Sequence, residues 1–423
     1  MRNKFLVLFV MLAMVSVAAA AGFQLYEFGA RSSAMGGAVI ANPYDASTLF
    51  YNPSGIAFVP GMRFYANLDL IFPKALYVGP EPLPWAGEVY NAESQVFTPI
   101  GLYFTFPVND RLTTGISVTN PFGLGLKWSD DFPGRFVARN TDLKSFYISP
   151  VAAYKLTDNF SLGFGLDLVI AQVLLERNVL LFDNRYEVGT SKLTGTSQLG
   201  IGFTVSATYK TDRFGFGAMY RHSVKNEFKN GKAEFTIFDD LSVPNVAAIA
   251  SAILKDQNVN TAITFPGSFN VGVYYKLMDN LGVELDYNYV MWSVFDKLDI
   301  EFPDDPRLNQ TVNENYQNSY TVRFGAHYDL NENFSLLGGF ILDKTPQPIE
   351  SVSPLLPDND RTNYSVGFSY NTGKMQFDAG YMFVNIGERS TIENGVGMND
   401  VGFDGTYSSN ANLVFISFGY TIK

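Results

Sequence analysis

"LGIGFTVSATYKTDRFGFGAMYRHSVK", Leu199 to Lys225, holds two strand-like runs on either side of a three-residue turn. In the first run Leu199, Ile201, Phe203, Val205, Ala207 and Tyr209 alternate with Gly200, Gly202, Thr204, Ser206, Thr208 and Lys210. Successive strand side chains point to opposite faces. One face here is therefore apolar with an aromatic end, and the other is polar or glycine. "RFYANLDLIF" (Arg63–Phe72) and "YTVRFGAHYDL" (Tyr320–Leu330) repeat the pattern. Segments of this kind, about 9–11 residues long, are what a β-strand needs to cross a bilayer.

Fourteen such segments run along the chain, over residues 62–72, 96–107, 112–121, 145–156, 160–177, 198–210, 214–225, 268–277, 281–298, 319–330, 334–344, 362–371, 375–386 and 411–422. Their connections alternate in length. The short ones are turn chemistry: "VNDR", "TDN", "TDR", "MDN", "NEN" and "NTGK". The long ones cover 73–95, 122–144, 178–197, 226–267, 299–318, 345–361 and 387–410. An even strand number, with short turns at one rim and long loops at the other, is the bacterial outer-membrane arrangement. Backbone groups in lipid must all be paired, so the sheet has to close. The expected fold is all-β: a fourteen-stranded antiparallel transmembrane β-barrel. A soluble β-sandwich has no need of strict alternation in connection length.

Composition agrees. Aromatic residues make up 15% of the chain and charged residues only 17%, below the roughly 25% usual in soluble domains. No internal apolar run reaches the ~18 residues of a membrane helix. "MRNKFLVLFVMLAMVSVAAAAGF" has a basic start (Arg2, Lys4), an apolar stretch (Phe5–Val17) and a small-residue site (Ala18–Ala20). It reads as a signal peptide, residues 1–20, cleaved after Ala20. Its removal takes the formal net charge from −11 to −13, which argues against a nucleic-acid partner. The chain has no cysteine, which excludes disulfides, thiol catalysis and thiolate metal sites.

Residues 21–61 stand outside the strand series. They are too apolar for a disordered tail. "STLFYNPSGIAF" (Ser47–Phe58) is aromatic and turns at Asn52-Pro53. "ARSSAMGGAVIA" (Ala30–Ala41) is rich in small residues and suits a short helix. The economical place for this segment is inside the barrel, whose lumen side chains alone do not fill. In the long loop "SVPNVAAIASAILKDQ" (Ser242–Gln257), Val246, Ile249, Ala250, Ile253 and Leu254 recur at helical spacing after Pro244. That predicts an amphipathic helix, either packing its loop onto the rim or offering apolar surface to a ligand.

"AGFQLYEFGARSSAMGGA" (Ala21–Ala38) followed by "YNPSG" (Tyr51–Gly55) resembles the N-terminal hatch of the FadL family of outer-membrane long-chain fatty acid transporters. The family pattern has Asn-Pro-Ala; Ser54 stands in place of the Ala. Further matches are "NPFGL" (Asn120–Leu124), "SPVAAYKLTDNFSLGFGLDLV" (Ser149–Val169), "FPGSFNVGVYYKLMDNLGVELDYNYVMWSVFD" (Phe265–Asp296), "FILDKTPQP" (Phe340–Pro348) and "LPDNDRTNYSVGFSY" (Leu356–Tyr370). Together they span essentially the whole mature chain. The resemblance implies a hatch at 21–61, including Phe50, Tyr51, Asn52 and Pro53, within a barrel at 62–423. It also implies uptake of hydrophobic compounds, usually long-chain fatty acids and in some relatives aromatic hydrocarbons. Cargo would be captured in an external apolar groove, passed to a pocket in the barrel and released sideways at a kink in the third strand. No cofactor is implied.

Particular residues fit these roles. Pro121 cannot donate to a ladder and Gly123 weakens one, so a break at Pro121, Phe122 and Gly123 is expected. Arg177 ends "LLER" on the polar face of the fifth segment and suits a fatty acid carboxylate, bidentately. It matches a carboxylate-contacting Arg of the family; a rim salt bridge with Glu176 is the plainer use. The family's second cation, a Lys before the tenth strand, has no counterpart in "NQTVNENYQ" (Asn309–Gln317). Val179, Leu180, Leu181, Phe182, Phe235, Ile237, Phe238, Ile249, Ile253 and Leu254 are the apolar loop residues available for a groove. His222 and Ser223 point to opposite strand faces, a poor nucleophile–base pair, and His327 is expected to meet a carboxylate. No metal site is read; "FPDDPRLN" (Phe302–Asn309) suits a divalent cation or lipopolysaccharide counter-ions, with a solvated loop as the plainer use. "FGYTIK" (Phe418–Lys423) lacks the usual terminal aromatic, so Phe418 and Tyr420 are the residues expected to serve the barrel assembly machinery. The reading is a monomeric transporter in contact with outer-membrane lipid and lipopolysaccharide. A non-selective porin and a lipid hydrolase are the alternatives.

Overall fold

The computed structural model describes residues 22–181, 186–239, 241 and 244–422. The predicted signal peptide lies outside them. Among the described residues fourteen strands make one closed wall. They are β1 (Arg63–Val78), β2 (Ile100–Pro107), β3 (Leu112–Thr119), β4 (Asn140–Thr157), β5 (Phe160–Leu181), β6 (Gly200–Lys210) and β7 (Phe214–Arg221). Then come β8 (Ser268–Met278), β9 (Leu281–Val290), β10 (Ser319–Asp329), β11 (Phe334–Asp343), β12 (Arg361–Asn371), β13 (Met375–Ser390) and β14 (Thr406–Thr421). Each pairs antiparallel with the next, and β14 returns to β1 over the whole length of both, Arg63 opposite Thr421 to Val78 opposite Thr406. Closure leaves the wall no free edge there.

The two faces are inverted relative to a soluble protein. Leu68, Phe72, Phe164, Ile201, Val366 and Ile416 are exposed on the outside, whereas Asn67, Asp69, Asp167, Thr208, Asp286 and Ser417 are buried inside. Only a lipid surround makes that distribution favourable.

Strand ends differ from the sequence reading where loops add their own pairing. The second segment begins at Ile100 rather than residue 96; Phe97 keeps an isolated bridge to Ile71 in the same register, and Pro99 between them has no N–H to donate. The ninth stops at Val290; Trp292–Val294 forms a 3-10 turn and Lys297–Ile300 pairs with Gln310–Asn313. The connections read as loops at 178–197 and 226–267 hold strands Tyr186–Thr196 and Gln257–Phe265 and most of Val224–Ile237, which starts inside the seventh expected segment; these extend the sheet beyond the rim. The expected helix is present as Pro244–Ile253.

Residues 22–59 occupy the lumen. α1 (Ala30–Ala34) is buried throughout and ends where Gly36 and Gly37 take positive φ, the turn that glycine makes without strain. α2 (Thr48–Tyr51) and the 3-10 turn Pro53–Phe58 follow, with Pro53 at the first position of its turn. Phe28, Leu49, Phe50, Tyr51 and Ile56 pack against Tyr65, Tyr103, Val151 and Leu337 of the wall. The polar lumen face supplies hydrogen-bond partners for this backbone. Asp286 accepts from the Val39 and Ile40 N–H groups at 2.9 and 3.1 Å. Asn52 Nδ2 donates to Ile40 O, and Ser54 N–H donates to Ser206 Oγ at 2.8 Å. Two wall glycines set the close approach: a Cβ on Gly217 would stand 2.0 Å from Ile40 O, and one on Gly339 would stand 2.1 Å from Gly36 N.

Candidate functional site

The ladder of β3 breaks at Asn120–Phe122. Below the break Thr119 faces Tyr147 of β4; above it Gly123 faces Lys144. The β3 side therefore carries one extra residue, a bulge. Pro121 has no N–H to give. The loose backbone groups are taken by the lumen segment and by side chains. Leu25 N–H donates to Pro121 O at 2.9 Å and Gly123 N–H to Phe23 O at 3.0 Å. Phe122 N–H donates to Ser145 Oγ at 2.9 Å, and Asn120 Oδ1 accepts from Ile100 N–H at 3.1 Å.

Past the break, strand Gly123–Lys127 pairs with β4 on one side. On the other, β2 has already ended, and contact resumes only where Lys127 O accepts from Glu93 N–H. The wall between these points has no ladder. Phe97 and Leu25 stand in the gap: a Cβ on Gly125 would lie 2.0 Å from the Phe97 ring, and one on Gly123 would lie 3.4 Å from Leu25 Cδ1. Behind them is a cavity of about 460 Å³, within the usual range for a small-molecule site. Its lining is mixed, apolar at Ile71, Ile341, Val384 and Leu413 and polar or charged at Arg323, Asp343, Arg361 and Asn363.

A continuous apolar cluster leads from this cavity outward. Phe23 packs edge-on against Trp292 at 4.8 Å and Phe295 at 5.3 Å, and Phe122 stacks on Phe265 at 4.7 Å. Farther out, Val173, Leu175, Leu193, Phe228, Ile263 and Ile300 line a small apolar pocket. Val173 and Leu175 share a strand face with Arg177. Arg177 does not pair with Glu176, which faces the other way and meets Arg139 at 3.2 Å. Among the described residues the recorded partner of Arg177 is the uncharged Gln310 Oε1.

The apolar loop residues pack largely with one another. Val246, Ala250 and Leu254 of the helix are buried against Val188, with Val179, Leu181, Phe235, Ile237 and Ile253 half-buried around them. Leu180 and Phe238 are half-buried as well, Ile249 is 39% exposed, and Phe182 lies outside the described residues. His327 meets Tyr44 through Nδ1 at 3.1 Å, with Asp329 at 3.9 Å. His222 stacks on Phe203 at 4.9 Å on the outer surface.

The external hairpin that carries Arg177 is tied to the loop beyond the break. Arg135 donates to both oxygens of Glu187 at 2.9 and 2.6 Å, and Asn178 Nδ2 donates to the same carboxylate. The Arg135 hydrogen bonds hold the Glu187 carboxyl below the usual glutamate range. A depressed carboxyl stabilises the fold above its unfolded pKa, and that contribution is lost as pH falls through the folded value. Amide protection at 178–181 and 186–196, corrected for intrinsic exchange, should therefore drop as pH falls below the glutamate range. Glu187→Gln should flatten the step. An unchanged step in that variant would assign it to another group.

Sequence reading missed Phe23, Leu25, Phe97, Asn120 and Ser145. Phe23 and Leu25 lay within a quoted motif without a role. Phe97 and Ser145 have no local signal, because their importance comes from which strands end beside them.

Comparison with known proteins agrees with this architecture. Residues 11–422 match the family model described as outer membrane protein transport protein (OMPP1/FadL/TodX). The long-chain fatty acid transport protein of Salmonella typhi is 26% identical over 394 residues, covering 86% of this chain and 87% of its own. Outer membrane protein P1 of Haemophilus influenzae is 27% identical over 356 residues, covering 78% and 76%. Among solved structures, a Pseudomonas aeruginosa FadL homologue superposes with a TM-score of 0.81 at 19% identity, covering 95% of this chain and 100% of that one. The Ralstonia pickettii toluene transporter TbuX gives 0.71 at 17% identity, covering 95% and 100%; at these identities the likeness is one of fold. The chain is a multi-pass outer-membrane protein and belongs to the OMPP1/FadL/TodX family of outer-membrane transport proteins.

Proposed function

We propose that the protein takes up hydrophobic compounds, long-chain fatty acids foremost, by lateral release through the gap beside β3. Cargo lands on the apolar loop surface, with Leu180, Leu181, Phe182, Phe235, Phe238, Ile249, Ile253 and Leu254 as the groove. Arg177 receives the carboxylate. The tail follows the aromatic cluster into the cavity, once Phe23 and its neighbours move aside, and leaves between Phe97 and Gly125 into the bilayer. Residues 21–61 act as the hatch, Phe50, Tyr51, Asn52 and Pro53 among them, and 62–423 form the barrel. Transport is diffusive, without a cofactor and without chemistry on the cargo.

The observation that carries this reading is the cavity itself. It joins the lumen to a wall gap whose unpaired backbone is bonded to the lumen segment. Related proteins named for fatty acid transport support the substrate class. Arg177, without an acidic partner among the described residues, favours an acid over an arene at the rim. Replacing it should separate the two. Arg177→Ala should weaken dodecanoate binding to wild-type-fold protein by about tenfold, the worth of a charge-assisted hydrogen bond, and leave toluene binding unchanged. Calorimetry on purified protein reads both. Equal dodecanoate affinity in the variant removes Arg177 from the pathway.

A further inference from the structure

The gap beside β3 is a window with a frame on all four sides. Below it, Gly101 faces Thr119 in the last rung between β2 and β3, and Ile100 N–H donates to Asn120 Oδ1 at 3.1 Å. Above it, Glu93 N–H donates to Lys127 O at 2.7 Å, and Ala92 bridges to Trp128. One side is the chain at 97–99, which is bonded to β1. Phe97 N–H donates to Ile71 O at 3.0 Å, Ile71 N–H to Phe97 O at 2.9 Å, and Asp69 N–H to Pro99 O at 3.2 Å. The other side is Gly123–Lys127, paired with β4 along its whole length. Lipid offers no replacement partner for backbone groups such as these, so the bonds hold the frame. The width of the opening is therefore set by side chains.

Two side chains fill the window, and they come from different parts of the molecule. Leu25 belongs to the lumen segment, and its Cδ1 lies 3.4 Å from where a Cβ on Gly123 would stand. Phe97 belongs to the frame, and its ring lies 2.0 Å from where a Cβ on Gly125 would stand. Both also line the cavity. Withdrawal of the lumen segment takes Leu25 away and leaves Phe97 in place, because the Phe97 backbone is tied to β1 and not to the segment that moves. The room given up is that of one aliphatic side chain. From this we infer that Phe97 is the specificity-determining side chain of the exit: it narrows the window to the width of an unbranched alkyl chain and turns back branched or caged carbon skeletons. The inference rests on the transport reading above and adds the shape class of the cargo.

The test measures uptake by cells without their own transporter. Labelled dodecanoate is the unbranched acid and labelled adamantane-1-carboxylate the caged one, so the head group is the same in both. Wild type should take up dodecanoate and leave the caged acid at the level of cells without the protein. Phe97→Ala should raise the ratio of caged to unbranched uptake at least about tenfold, the scale on which an apolar site discriminates by size. Phe97→Leu, which keeps most of the bulk, should hold the ratio near wild type. Phe97→Trp should lower dodecanoate uptake, and it carries the test if Phe97→Ala does not assemble. Wild-type uptake of both acids overturns the inference and leaves the transport reading standing. So does a wild-type ratio in Phe97→Ala, or dodecanoate uptake that Phe97→Trp does not change. Wild-type uptake of neither acid overturns the transport reading, and the inference with it.

Discussion

Oxidised Gln24→Cys/Phe122→Cys protein should lose transport almost completely, and reductant should restore it. Gln24 and Phe122 face each other as an antiparallel bridge. The bonds beside them run from Leu25 N–H to Pro121 O and from Gly123 N–H to Phe23 O. That places the pair at a non-hydrogen-bonded position, where Cα atoms stand about 4.5 Å apart, within the about 4.4–6.8 Å that a disulfide spans. The natural chain has no cysteine, so the cross-link has no competitor. It would hold Phe23 in the aromatic cluster and Leu25 in the wall gap, the two obstacles on the proposed path. Uptake of labelled fatty acid by cells without their own transporter should fall at least about tenfold on oxidation, against an assay in which one kcal/mol-scale contact changes rates less than that. Each single variant, oxidised in the same way, should transport near the unoxidised level. If the oxidised double variant transports normally, residues 22–27 need not move and the exit lies elsewhere.

Most of the wall was legible in sequence because a strand writes its two faces at period two and a turn writes its residues locally. Alternating connection lengths then supplied topology without any knowledge of contacts. The segment Ser47–Phe58 was legible in the negative, as something neither strand nor long helix. The site was less so. Pro121 and Gly123 signalled a weak ladder, but what makes a gap of it is that β2 pairs with β3 only as far as Gly101 opposite Thr119, with contact resuming at Glu93 and Lys127. Arg323 looked like any inward-facing strand residue in "YTVRFGAHYDL". Its place beside the cavity comes from a segment three hundred residues away in sequence, roughly, folding back on it. Arg135 and Glu187 gave no signal, since two loops on different hairpins meet only once the barrel is closed.

The second large effect concerns the proposed hatch, residues 22–59 in the lumen. Gly217→Val with Gly339→Val should turn the closed barrel into an open pore. Both positions face the lumen, and both would drive a Cβ into the backbone of the lumen segment, at Ile40 O and at Gly36 N. Backbone atoms cannot rotate away as a side chain can, so the segment must shift as a body. Overpacking of this kind costs about 1–3 kcal/mol per site, set against hydrogen bonds from Asp286 to Val39 and Ile40 that depend on the same register. The wall should survive, because valine suits strands and neither substitution touches a ladder hydrogen bond. Gly338→Val is the matched control: it lies on the same strand as Gly339, and a Cβ there meets nothing within 4 Å. With the hatch displaced, the polar lumen of Asp167, Glu284, Asp286 and Arg221 becomes wet. Planar-bilayer recordings should then show ion conductance in the double variant and none in wild type or the control, and cells should become sensitive to antibiotics that the outer membrane normally excludes. A double variant that folds and still does not conduct would mean that residues 22–59 are not what closes the lumen.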